Sequence, residues 1–129
     1  MYLIALAGAD LIVAGAPLLG FSLPTESMLK SLGANAARDP VAPDLSHPSL
    51  RSWLDALPKG SGRAAAFETR IWWSLGGATG AIERALQGAG YRLLAKARRF
   101  IVNGSSGPLR EGEEERARQW GAELAKAME

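Results

Sequence analysis

Five consecutive apolar residues, Leu11-Ile12-Val13-Ala14-Gly15, sit between Asp10 and the pair Ala16-Pro17. A strand with one face in water alternates polar and apolar residues, and this run does not alternate. A short, wholly apolar run bounded by turn-forming residues suits a parallel strand buried on both faces. A strand of that kind requires helices on either side of its sheet, so the run points to an α/β protein.

The rest of the chain supplies such helices and further strands. Thr25 caps a predicted short helix through Leu32, with Glu26 near its positive end and Gly33 as terminator. Gly33 to Ser46 has no apolar period and reads as a loop. Pro48 suits the first turn of a helix in which Leu50, Trp53, Leu54 and Leu57 form one stripe, stopped by Pro58 and Gly60. Ala64 to Thr69 reads as a second strand after the turn-forming Lys59-Gly60-Ser61-Gly62. Ala78, Ile82, Ala85, Leu86 and Ala89 mark an amphipathic helix ending at Gly88 or Gly90. Leu93-Leu94 and Phe100-Ile101-Val102, separated by Lys96, Arg98 and Arg99, predict a strand interrupted at its middle. A final helix carries Ala117, Trp120, Gly121, Leu124, Ala125 and Met128 on one stripe, with Glu111, Glu113, Glu114 and Glu115 stabilising its start through the helix dipole. The alternation predicts a parallel sheet of about three strands with helices on its faces and right-handed crossovers.

Length and composition fit this reading. The 129 residues, 47% hydrophobic and 22% charged, suffice for a single domain spanning 1–129 with its own core. A net charge of +2 does not call for nucleic acid. The absence of cysteine removes disulfides and thiolate chemistry and agrees with a reducing, cytoplasmic setting. Met1 to Pro24 carries only Asp10 as a charge, and Ala14-Gly15-Ala16 mimics a cleavage site. Even so, the segment lacks a basic start and is broken by Gly8, Gly15, Pro17 and Gly20, which argues against a membrane or secretory segment.

Ala9 to Pro17, Leu50 to Pro58, Ala66-Phe67-Glu68-Thr69-Arg70, and Gly107-Pro108-Leu109 leading into Glu111 to Leu124 together resemble the bacterial flavodoxin-domain proteins. The resemblance implies an incomplete flavodoxin-like three-layer fold. Leu11–Gly15 would be the equivalent of the third strand, Ala64–Thr69 of the fourth and Arg92–Val102 of the interrupted fifth. It further implies FMN as cofactor, with the flavin ring between the loops that follow the third and fourth strands. Carried over, those loops are Ala16-Pro17-Leu18-Leu19-Gly20-Phe21 and Arg70-Ile71-Trp72-Trp73-Ser74-Leu75-Gly76-Gly77, so Ala16 to Phe21, Trp72, Trp73, Ser74, Gly76 and Gly77 are the candidate cofactor residues. The family's first strand, phosphate loop, first helix and second strand would lie before residue 1. No Ser/Thr-x-Thr-Gly-x-Thr segment is present to fix a phosphate.

Each candidate has a plainer alternative. An indole of Trp72 or Trp73 could cover an isoalloxazine face, or one could pack under the sheet edge while the other shields a helix; on an extended segment at most one would face a ligand. Pro17 to Phe21 could wall a flavin pocket or be loop core. Gly76-Gly77-Ala78-Thr79-Gly80 opens a helix after a strand and could meet phosphate, but it lacks the spacing of G-x-G-x-x-G and the lysine of a P-loop. Capping by Thr79 or Ser74 is the simpler expectation. His47, the only histidine, reads as a loop or capping residue, and without thiols it makes no metal site. No Ser/His/Asp set can be assembled.

The leading expectation is therefore a flavodoxin-like protein related to FMN-dependent electron transfer or flavin reduction. It would need no catalytic side chain of its own, would work with a redox partner protein, and would hold FMN weakly or not at all. The alternative is a non-catalytic interaction module or remnant. In that case the strand edge uncovered by the missing elements, and the face of the last helix with Trp120, Leu124 and Met128, would promote self-association.

Overall fold

The computed structural model describes residues 8–18, 49–104 and 107–129. The predicted helix 25–32, the loop 33–46, Leu19, Gly20, Phe21, His47 and Pro48 lie outside the described residues.

The elements in chain order are β1 (Leu11–Pro17), α1 (Leu50–Asp55), β2 (Arg63–Ile71), α2 (Thr79–Gly88), β3 (Arg92–Leu93), β4 (Arg98–Val102) and α3 (Glu113–Ala127). β1 and β2 are parallel and in continuous register from Leu11 opposite Arg63 to Pro17 opposite Thr69. β3 and β4 both pair with β2, also in parallel. β3 lies against its start, Arg63 and Ala64, and β4 against its end, Phe67 to Ile71. The expected interrupted strand is thus present. Its gap falls at residues 94–97, so Lys96 stands in the interruption while Arg98 and Arg99 belong to the strand. Among the described residues the four strands make a sheet three positions wide, with β2 at its centre and β3 and β4 sharing one side of it.

Successive residues of a strand point to opposite faces, and β2 uses both. Ala64 and Ala66 join Ile12, Ala14, Ala16 and Leu18 of the first strand region and Ile82 and Leu86 of α2 in one cluster. Ala65 and Phe67 join Phe100, Trp120 and Leu124 in a second cluster on the other face, under α3. Alanine is a poor strand former, but its small side chain lets helices approach β2 closely, and all three central alanines are fully buried.

The aromatic cluster explains Gly15. Gly15 pairs with Phe67 across the β1–β2 ladder, and a methyl group built on it would run into the Phe67 ring. That ring also meets Phe100 and Trp120 edge-on, with centroids 6.0 Å apart in each case. Of the stripe of the last helix, Trp120 and Leu124 are buried against this cluster, contrary to the expected open face, whereas Gly121 and Ala125 are exposed and Met128 is half-buried.

The two edges of the sheet differ. On the outer side of β4, the Ile101 N–H donates to the Glu113 carboxylate at 2.7 Å, the Arg110 N–H donates to the Ile101 carbonyl at 2.8 Å, and Arg116 donates to the Arg99 carbonyl at 2.6 Å. β1, among the described residues, pairs only with β2, and its Val13 side chain is 44% exposed.

Three boundaries depart from the sequence reading. The helix expected to open at Pro48 is capped by Ser49, whose Oγ accepts the Ser52 N–H at 3.1 Å, and it closes at Asp55; Leu57 packs on the core from beyond its end. β2 continues through Arg70 and Ile71, which were expected in the following loop. Ala16 and Pro17 lie within β1, not in a loop after it.

Candidate functional site

The parallel strands β1 and β2 end side by side, with the Leu18 N–H donating to the Thr69 carbonyl at 2.8 Å. In open α/β sheets, ligands gather outside the carboxyl ends of the strands. The segment that leaves β2 there runs through Trp72, Trp73, Ser74, Leu75, Gly76 and Gly77 to the first turn of α2.

What holds this segment is an ion pair beneath it. Residues 66, 68 and 70 share the face of β2 that is turned to α2, and at the last two of these positions the alanine pattern gives way to Glu68 and Arg70. Glu68 is fully buried and Arg70 is 8% exposed, and they pair at 3.2 Å. Arg70 also donates to the Gly76 carbonyl at 3.0 Å and to the Ser74 carbonyl. The other Glu68 oxygen, Oε1, accepts the Ala78 N–H at 3.0 Å and the Thr79 N–H at 3.3 Å. The Ser74 N–H closes the turn on the Ile71 carbonyl at 3.0 Å. Arg70 therefore pins the loop carbonyls, and Glu68 supplies the negative charge that the positive end of α2 favours. A buried ion pair is tolerated only when its remaining hydrogen-bonding positions are satisfied, and here the loop and the helix start satisfy them.

This arrangement corrects the expected cap. Neither Thr79 nor Ser74 caps α2: its N-cap is Ala78, with no side-chain bond of its own, and Thr79 is a buried first-turn residue. Glu68, ten positions before Ala78, does the capping. It also means that the amides of Ala78 and Thr79, the part of the glycine-bearing segment that could have met a phosphate, already hold a carboxylate.

Trp72, Trp73 and Leu75 stand above the ion pair, 67%, 64% and 71% exposed. Neither tryptophan packs under the sheet edge or shields a helix. Single exposed apolar residues are ordinary, but three large ones within four positions concentrate exposed apolar surface on this one loop. Arg99 stands beside this site. It is opposite Glu68 in the β2–β4 register, and its guanidinium lies 3.8 Å from where a Gly77 side chain would begin.

The other half of the expected ring site is different. Ala16 and Leu18 are buried in the core beneath α2, and Pro17, exposed, ends β1. Of the expected ring residues among those described, Trp72 and Trp73 present apolar surface, whereas Ser74, Gly76 and Gly77 build the loop that carries them. An apolar cavity of about 270 Å³, lined by Phe67, Thr69, Phe100, Leu109, Ala117 and Trp120, lies on the opposite face under α3 and includes none of them.

The chain matches no protein-family model, no curated protein and no solved structure. Among the described residues there is no acidic or histidine cluster able to hold a metal ion, and no helix long and apolar enough to cross a membrane.

Proposed function

We propose that this chain is a flavodoxin-like domain related to FMN-dependent electron transfer or flavin reduction, and that it takes the flavin ring on Trp72 and Trp73 and holds FMN only weakly. The observation that carries the reading is the pair of exposed indoles on a pinned loop at the carboxyl end of a parallel sheet. The strand order β1, β2, then β3 with β4, and the helices on both faces, accord with the equivalents of the third to fifth strands of that fold. In such chemistry the flavin carries the electrons, and the protein contributes position and electrostatics. One flat aromatic contact contributes about 1–3 kcal/mol, whereas micromolar affinity corresponds to about 8 kcal/mol. Two indoles and a leucine fall short of that.

A second reading, a non-catalytic interaction module, is favoured by the edge of β1, which pairs only with β2 among the described residues and carries the exposed Val13. An unpaired apolar strand is a template for a second copy. Gel filtration of the chain mixed with FMN, at several loadings, separates the readings. A monomer from which FMN dissociates during the run agrees with weak ring binding. An elution position that moves with loading supports association through β1. Stoichiometric FMN travelling with the protein contradicts weak binding.

A further inference from the structure

The buried carboxylate of Glu68 sits against the start of α2 and accepts its first two amides. A helix start offers converging N–H groups and a positive dipole end to phosphates and carboxylates. At α2 two of those groups, on Ala78 and Thr79, converge on Glu68 Oε1 at 3.0 and 3.3 Å. The second oxygen of the same carboxylate is taken by Arg70 at 3.2 Å. Gly77 closes the site from above, since a side chain there would begin 3.3 Å from Oε1 and 3.8 Å from the Arg99 guanidinium. Two amides and a buried arginine, with a second arginine close by, would make a good anion cradle, and its anion is part of the chain.

We propose that Glu68 sets the specificity of the ring site: its carboxylate stands where a ligand phosphate would sit, so the site takes uncharged planar rings and gains little from their phosphate esters. This rests on the flavin-ring reading given above. A ring stacked on Trp72 or Trp73 finds the nearest helix start already satisfied by a negative group. Arg99 is exposed and offers a phosphate only a solvent-screened attraction, less than about fivefold in affinity. Removing the carboxylate should reverse the preference, because the amides, Arg70 and Arg99 then face an empty, electropositive place.

Two measurements test this. The first is the melting temperature of the full chain and of Glu68→Ala in rising inorganic phosphate, against chloride at matched ionic strength. The wild type should gain nothing specific from phosphate, and Glu68→Ala should gain a saturable increase, since a ligand bound only by the folded state raises its stability. Equal responses of the two proteins, or a Glu68→Ala chain that phosphate neither stabilises nor folds, would overturn the proposal. The second is the ratio of riboflavin to FMN dissociation constants for the wild type. It should lie within about fivefold, and FMN binding more than tenfold tighter would overturn the proposal. If neither flavin binds, the ring reading fails, while the phosphate comparison still decides the role of Glu68.

Discussion

One strand builds two different kinds of interior. On one side of β2, Ala65 and Phe67 meet Phe100, Trp120 and Leu124, an aromatic cluster whose only buried side-chain polar atom without a partner, among the described residues, is the Trp120 indole nitrogen. On the other side, Ala64 and Ala66 continue the apolar core, but Glu68 and Arg70 end it with a buried ion pair. The aromatic side gains from burial and edge-on ring contacts worth about 0.5–1.5 kcal/mol per pair. The ionic side gains little net energy, because the desolvation of two charges offsets most of their attraction. It gains geometry instead: the four bonds to Ala78, Thr79, Gly76 and Ser74 fix the loop that lifts Trp72 and Trp73 into solvent. The packed side stabilises the fold, and the charged side shapes the candidate site.

That division is most easily broken at Arg70. Replacing it with Ala leaves the Glu68 carboxylate buried without its cation, which costs about 3–5 kcal/mol. Thermal unfolding should show a midpoint lowered by about 10 °C or more, and hydrogen exchange should speed up at the bonded amides of Ser74, Ala78 and Thr79 ahead of the strands. A variant as stable as the parent would mean that the pair is not the clasp described here. A smaller effect is expected on the aromatic side. Gly15→Ala places a methyl group against the Phe67 ring and should cost about 1–3 kcal/mol by overpacking. In a Phe67→Leu background the cost should largely vanish, which a double-mutant cycle would read directly. An equal cost in both backgrounds would place the conflict elsewhere.

The strands were legible in the sequence because Leu11–Gly15 and Phe100–Val102 are apolar runs that only a covered sheet accepts, and the two central helices because Leu50, Trp53, Leu54 and Ala78, Ile82, Leu86 repeat at helical spacing. The end of β2 was not legible. Arg70 looks like the start of a loop, and nothing local says that its charge will be neutralised two positions back. Glu68 escaped for a related reason. A carboxylate in a strand resembles a solvent-facing residue of an alternating pattern, and the two amides it accepts from, on Ala78 and Thr79, are ten and eleven positions away in sequence. Two signals were available: Glu68 and Arg70 share a face with Ala64 and Ala66, and α2 begins at Ala78 without a capping side chain. The exposure of both tryptophans also ran against a rule of alternation, because the chain turns immediately after Ile71 and is no longer extended there.

The smallest expected effect on stability accompanies the most direct test of function. With both indoles in solvent, the double variant Trp72→Ala, Trp73→Ala should unfold within about 0.5 kcal/mol of the parent. Riboflavin titrated into each protein, with flavin emission followed because Trp53 and Trp120 also emit, measures what those indoles do. Saturable quenching with a dissociation constant above about 10 μM is expected for the parent, and its loss for the double variant. Quenching that persists unchanged in the double variant, or a parent that shows none, would contradict a flavin-ring site on this loop.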